Sequence, residues 1–138
     1  MKKTILMLEH DDDDRYITQE VFKENNYDVK LEFFSNSFDL LNHLHTTKPG
    51  GQGFPSLILM SFVTFPMSAI DLLKEVKSNP EFAHIPMVVL GGHLSDEVIT
   101  RCYAAGASTV IQKPDSVAGT NRKIDSFIRY WFETATLA

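Results

Sequence analysis

The sequence has little cysteine, no long apolar run and no concentration of basic residues. Its one cysteine, Cys102, cannot form a disulfide within the chain and offers no thiol pair to a metal. The net charge is −5 and the Lys and Arg residues are scattered, so we expect no nucleic-acid partner. The apolar runs are much shorter than the roughly 20 residues of a membrane span, so we expect no membrane partner and a cytoplasmic location.

What the sequence does contain is an alternation of two apolar patterns. Short apolar runs predict strands over residues 4–9, 29–34, 56–61, 86–90 and 108–112. Several of these runs are nearly continuous, as in parallel strands that are covered on both faces. Between them the apolar residues recur every three or four positions, which predicts helices. In one such helix Cys102 shares the apolar face with Val98, so we expect a small buried side chain. The last stripe comprises Ile124, Phe127, Ile128 and Trp131.

Residues that start and stop helices agree with this division. Ser95, followed by two acidic residues, predicts a helix start, because its side chain can cap free amides at the positive end of the helix dipole. Gly106 predicts the end of the same helix, where a left-handed residue is common. Asn79 before Pro80 predicts the end of the preceding helix.

The five strand–helix units predict an α/β fold, an open, doubly wound, five-stranded parallel sheet with right-handed crossovers. In such a sheet the binding crevice lies beyond the carboxyl ends of the strands. The residues that we expect there are Glu9, His10 and Asp11 after the first strand, Ser61 at the end of the third, Gly91 after the fourth and Lys113 after the fifth.

This constellation resembles the receiver (CheY-like) domain of two-component response regulators over essentially the whole chain. Residues 5–11 are similar to the family's first strand and acidic pair, and residues 57–61 to its phosphoacceptor strand. Residues 112–114 match its lysine–proline signature. The resemblance implies a flavodoxin-like (βα)5 fold and a role in phosphorelay signalling rather than an enzyme.

The resemblance also implies a set of roles, and this chain departs from several of them. In the family, an aspartate accepts the phosphoryl group, two acidic residues hold Mg²⁺, a lysine offsets charge and a hydroxyl reports phosphorylation. Here Ser61 matches the acceptor, His10 the second acidic residue and Gly91 the hydroxyl position. Glu9 and Lys113 match the family pattern.

These departures predict a degenerate phosphorylation pocket with no catalytic residue. A serine hydroxyl cannot form an acyl phosphate, and imidazole is a poor ligand for Mg²⁺. We therefore expect no cofactor and no bound metal, with Glu9 and Asp11 as weak candidate ligands. The favoured interpretation is a pseudo-receiver that acts by protein–protein interaction without phosphorylation.

Two alternatives to this interpretation remain open. One is a phosphorylatable receiver with an unconventional acceptor such as Asp11 or Asp12, and the other is a sensor that binds a small ligand or ion in the crevice. The apolar residues 62–65 after the third strand are a related question. They either fill the emptied pocket or present a binding patch.

We expect residues 1–138 to form a single receiver domain with no output domain, so its output requires a partner. The candidates are a histidine kinase, another regulator or an effector. The resemblance implies that partners or a second copy meet the fourth helix, fifth strand and fifth helix. Val110, Tyr130 and Phe132 are the candidate contact residues on that surface, which includes the last helix as a possible homodimer contact.

Overall fold

The computed structural model describes residues 3–24 and 28–112, together with residues 122, 126, 129 and 130. The strands are β1 (Lys3–Leu8), β2 (Val29–Phe34), β3 (Pro55–Ser61), β4 (Met87–Gly91) and β5 (Thr109–Gln112). The helices are α1 (Asp12–Glu24), α2 (Ser37–Thr46), α3 (Ala69–Ser78) and α4 (Asp96–Ala105). The predicted stripe of the last helix, Ile124, Phe127, Ile128 and Trp131, lies outside the described residues.

The strands form one sheet in the order β2-β1-β3-β4-β5, and every neighbouring pair is parallel. This confirms the doubly wound parallel sheet. Leu8 at the end of β1 pairs with both Phe34 and Met60, and Ser61 pairs with Leu90. The carboxyl ends of the central strands are therefore level, which gathers the residues that follow them at one edge.

Each face of the sheet carries its own apolar core. On one face α2, α3 and α4 pack onto alternate residues of the strands, among them Leu6, Met60 and Val89. On the other face α1 packs through Val21 and Phe22 onto the intervening residues. The near-continuous apolar runs of the sequence follow from this arrangement, because both faces of each central strand are covered.

The predicted boundary residues behave as expected. The Ser95 hydroxyl accepts a hydrogen bond from the Val98 N–H at 3.2 Å, and Gly106 ends α4 with a φ of 117°. Asn79 ends α3. β4 begins at Met87, one residue later than predicted. Pro86 has no N–H to donate to the sheet, although its carbonyl accepts from the Ile58 N–H.

Cys102 is fully buried in the core beneath α4. Burial raises the pKa of its thiol, and the nearby Arg101 guanidinium only partly opposes this effect. A buried thiol with a raised pKa is a poor nucleophile. The prediction that Cys102 is a small apolar core residue is therefore confirmed.

Candidate functional site

Three of the predicted pocket residues lie at the carboxyl edge of the sheet. Glu9 and Ser61 directly follow the paired residues Leu8 and Met60 on neighbouring strands, and both are buried, at 2% and 6% exposure. Gly91 ends the next strand and is buried too. The strand ends thus bring together the residues that the sequence placed in the crevice.

The turn after β1 is held by several contacts to Glu9 and Arg15. The Glu9 N–H donates to the Phe34 carbonyl at 2.9 Å, and the Glu9 carbonyl accepts from the Arg15 Nε at 2.6 Å. Arg15 also donates to the Ser35 hydroxyl and lies 5.6 Å from the Phe33 ring centre. The start of α1 is therefore tied to the ends of both β1 and β2.

His10 lies at the rim of this site, next to the buried carboxylate. Its Nδ1 is 3.7 Å from Glu9 Oε2, and the Asp11 N–H approaches the same oxygen at 3.4 Å. The His10 side chain is 39% exposed, whereas that of Glu9 is 1% exposed. Position 10 therefore presents a ring nitrogen toward Glu9 at the place where the family has a second carboxylate.

Asp11 has a structural role that the sequence analysis missed. Its Oδ1 accepts hydrogen bonds from the N–H groups of Asp13, at 2.9 Å, and of Asp14, at 3.1 Å. This is the geometry of a helix N-cap, and α1 begins at the next residue. An aspartate directly before a helix is the signal that could have revealed it.

These donors do not fit Mg²⁺. The ion needs a near-octahedral set of oxygen ligands, with one or two carboxylates in the usual protein site. Asp11 uses a carboxylate oxygen to cap α1, His10 offers nitrogen and Ser61 offers a neutral hydroxyl. Over residues 3–24, 28–112 and the four later described positions, no group of three or more His, Cys, Asp or Glu side chains is placed to hold a metal ion.

The position of the family's reporting hydroxyl is covered by another side chain. Leu94, in the loop between β4 and α4, packs directly against Gly91. Its backbone N–H donates to Gln112 Oε1 at 3.1 Å, which ties the loop to the end of β5. Position 91 thus lies under an apolar side chain.

The loop after β3 presents its apolar residues to solvent. Val63 and Phe65 are 64% and 53% exposed, while Phe62 packs partly buried against the core. The Phe65 ring lies 5.6 Å from the His10 ring, and the Phe65 carbonyl accepts from the Ser37 N–H at 2.9 Å. Of the two possibilities left open by the sequence, this geometry favours a binding patch.

The predicted partner surface is only partly described. Val110 is half-buried against the core, and its N–H donates to the Tyr103 hydroxyl at 3.0 Å. Tyr130 is exposed, while Lys113 and Phe132 lie outside the described residues. Among the helices in the described part of the chain, none combines the length and the apolar character needed to cross a membrane.

Similar proteins are known both by sequence and by structure. No family model matches the chain. The response regulator Rcp1 from Synechocystis is 27% identical over 137 residues, which cover 98% of this chain and 92% of Rcp1. The rice two-component response regulator ORR13 is 31% identical over 67 residues, or 49% of this chain and 55% of ORR13.

The solved structures agree with the sequence relatives. The phosphorylated cyanobacterial phytochrome response regulator RcpA superposes with a TM-score of 0.90 at 22% identity, over 99% of both chains. The Mn²⁺-bound form of Rcp1 also gives 0.90, at 24% identity and the same coverage. The fold is that of a CheY-like receiver. With the similarity to Rcp1 along almost its whole length, the chain is a response-regulator receiver of two-component signal transduction.

Proposed function

We propose that this receiver works without phosphorylation, by binding other signalling proteins, and that it is not an enzyme. The observation that supports the proposal is Ser61, a buried hydroxyl at the acceptor position. An acyl phosphate requires a carboxylate, and a serine is a weak nucleophile unless a base activates it. Asp11, one of the alternative acceptors, uses a carboxylate oxygen to cap α1.

The proposal also concerns the divalent metal ion that receivers bind. Rcp1 has been solved with Mn²⁺, but His10 and the capping role of Asp11 leave Glu9 as the remaining candidate ligand among the described pocket residues. One carboxylate provides few of the oxygen ligands and little of the charge that a hard divalent cation needs. We therefore propose that the chain uses neither Mg²⁺ nor another cofactor.

Response regulators as a class interact with histidine kinases and other signalling proteins. For this chain we propose a kinase, another regulator or an effector as partner, reached through Val110, Tyr130 and Phe132, with homodimerisation through the last helix as one form of the contact. The acidic net charge supports a protein partner over nucleic acid. We also propose that the chain forms a single receiver domain, that it is located in the cytoplasm and that it does not bind membranes.

The test is exposure to a small phosphodonor with Mg²⁺, followed by intact-mass measurement and amide NMR. RcpA, which is known in a phosphorylated form, is the positive control. We expect RcpA to gain a phosphoryl group and this chain to gain none. Beryllofluoride should likewise leave the amides of Glu9, Ser61 and Gly91 unshifted. A phosphoryl group on Asp11 or Asp12 would instead establish the unconventional acceptor.

A further inference from the structure

Three exposed apolar side chains lie on two segments next to the crevice. Val63 and Phe65 belong to the loop after β3, and Phe38 belongs to the first turn of α2, where it is 53% exposed. Single exposed apolar residues are common on protein surfaces and carry no meaning by themselves. Three on two segments that are joined by hydrogen bonds have more weight, because grouped apolar exposure marks contact surfaces.

Ser37 joins the two segments. Its N–H donates to the Phe65 carbonyl at 2.9 Å, and its hydroxyl accepts from the Met67 N–H at 2.8 Å. Ser37 is fully buried, so water does not compete for these bonds. The backbones of the loop and of the start of α2 are therefore held together, which reduces the entropy cost of ordering these segments on binding.

Tyr103 is also an exposed aromatic residue, but it has a structural role. Its hydroxyl accepts the Val110 N–H and thereby completes a contact between α4 and β5. Among the described contacts, none gives the exposed ring of Phe65 or of Phe38 a comparable structural role. The Phe65 ring contacts His10, and that contact leaves 53% of the residue open to solvent.

Among the described residues, exposed carboxylates follow these segments and His10 along the chain. Asp12 and Asp13 are exposed in the first turn of α1, which follows His10, and Asp39 is exposed directly after Phe38. Arg15, a nearby cation, is engaged with the Glu9 carbonyl and the Ser35 hydroxyl. A partner that contacts the apolar residues would thus meet carboxylates at the edge of the contact.

We propose that Phe38, Val63 and Phe65 form a docking surface for a partner protein that presents a basic amphipathic helix. Its apolar residues would cover the three side chains, and its Lys or Arg residues would face Asp12, Asp13 and Asp39. A second copy of this chain fits less well, because it would bring the same carboxylates together. The surface differs from the one formed by Val110, Tyr130 and Phe132, and the proposal does not depend on the absence of phosphorylation.

The test uses two synthetic amphipathic peptides of about 15 residues, the length at which an isolated helix becomes marginally stable. One carries leucine and lysine, and the other carries leucine and glutamate in the same positions. Each is titrated into the full chain and followed by amide NMR. We expect the lysine peptide to shift the amides of Phe38, Val63 and Phe65, and the glutamate peptide to leave them unchanged. Binding should weaken in about 1 M salt, where charges are screened beyond about 3 Å.

Variants then identify the residues that bind. Phe65→Ser and Val63→Ser should each weaken binding of the lysine peptide about tenfold, as for central apolar contacts. Both side chains are more than half exposed, so the variants should fold. Tyr16→Ser removes an exposed ring, at 62%, from α1, outside the two segments, and should change the affinity less than twofold. The tenfold loss at positions 63 and 65 with no loss at 16 supports the proposal.

Three results would overturn it. One is that no shift occurs at the three residues with the lysine peptide. Another is that the two peptides bind equally, which would remove the role of charge. The third is that the same amides shift with protein concentration in the absence of peptide, which would make a second copy the occupant. None of these results depends on whether the phosphodonor modifies the chain, so this proposal and the proposed function can fail separately.

Discussion

Leu94 occupies the space that a side chain at position 91 would need. A Cβ built on Gly91 would lie 2.7 Å from Leu94 Cδ1 and 2.8 Å from both Cδ2 and Cγ, closer than carbon atoms normally approach. A Cβ on the adjacent Gly92 would meet nothing within 4 Å. The two neighbouring glycines therefore have different structural roles, and the first permits the packing of the loop between β4 and α4.

The first prediction concerns this contact. Gly91→Thr, which restores a hydroxyl at the family's reporting position, should lower the free energy of unfolding by about 1–3 kcal/mol, because overpacking forces Leu94 to move. Gly92→Thr is the matched control and should change stability by less than about 0.5 kcal/mol. Adding Leu94→Ala to Gly91→Thr should recover part of the loss in urea unfolding. Equal losses at positions 91 and 92 would contradict the packing explanation.

The second prediction separates capping from metal binding at Asp11. Asp11→Ala removes the cap of α1 and should cost about 1 kcal/mol, whereas Asp11→Asn keeps a capping oxygen and should cost much less. Thermal unfolding without added metal measures both. Asp12→Ala, at the exposed neighbour in the first turn, should cost only a few tenths of a kcal/mol through the helix dipole. If Asp11→Asn were as destabilising as Asp11→Ala, charge rather than capping would explain the role of Asp11.

The third prediction concerns the connection through Ser37. Ser37→Ala leaves the Met67 N–H without its described acceptor and should cost about 1–3 kcal/mol. The Met67 amide should also exchange with solvent faster, which hydrogen exchange followed by NMR will detect. Ser78→Ala removes an exposed hydroxyl that donates to the Glu75 carbonyl and should have little effect. Unchanged Met67 exchange in Ser37→Ala would mean that the loop is held by other contacts.

The fourth prediction is a pH dependence at Lys77, whose amine donates to the carbonyls of Ala83 and Ile85. Burial lowers the pKa of this amine below its ordinary value of 10.5. Between the lowered pKa and 10.5 the unfolded chain binds the proton and the folded chain has released it. Stability from this group therefore rises with pH through that interval.

The comparison that tests the Lys77 prediction is with Lys77→Arg, whose guanidinium stays charged throughout the interval. The wild type should gain stability relative to Lys77→Arg as the pH rises from neutral toward 10.5, as measured by urea unfolding. Lys77→Met should be less stable than wild type by about 1–3 kcal/mol at neutral pH, because two carbonyls lose their donor. A difference between wild type and Lys77→Arg that stays constant with pH would refute the prediction.

The fifth prediction concerns restoration of a metal site. Ser61→Asp alone should give no stabilisation by Mg²⁺, because position 10 still offers nitrogen. His10→Asp together with Ser61→Asp places two further carboxylates beside Glu9. Saturating Mg²⁺ should then raise the free energy of unfolding of the double variant by about 1–3 kcal/mol over a sample with chelator. A wild type stabilised by Mg²⁺ to the same extent would show that its own donors suffice.

The sheet could be predicted because its signals are local. The apolar run that ends at Ser61 is buried on both faces in the structure, and Gly106 takes the left-handed conformation that its position after α4 suggested. The placement of Glu9, Ser61 and Gly91 at one edge follows from the strand ends alone. These features depend on residue type and spacing, which the sequence displays directly.

The rest of the site depends on contacts between separate segments of the chain. Residue type and spacing do not predict these contacts. An aspartate can cap a helix or bind a metal, and the cap that Asp11 provides depends on where α1 begins. The packing of Leu94 on Gly91 joins the end of β4 to the following loop, which has no apolar periodicity. The backbone bond between Phe65 and Ser37 is likewise an interaction between separate segments.

The strand order also has a consequence for a chain that is still being synthesised. β1 leaves the ribosome before β2 and β3, yet it lies between them in the finished sheet. One of its edges can be paired once Phe34 has emerged, but the other has no neighbour until synthesis reaches Ser61. Through that interval an apolar strand exposes open hydrogen-bonding groups, the kind of edge on which nascent chains associate wrongly.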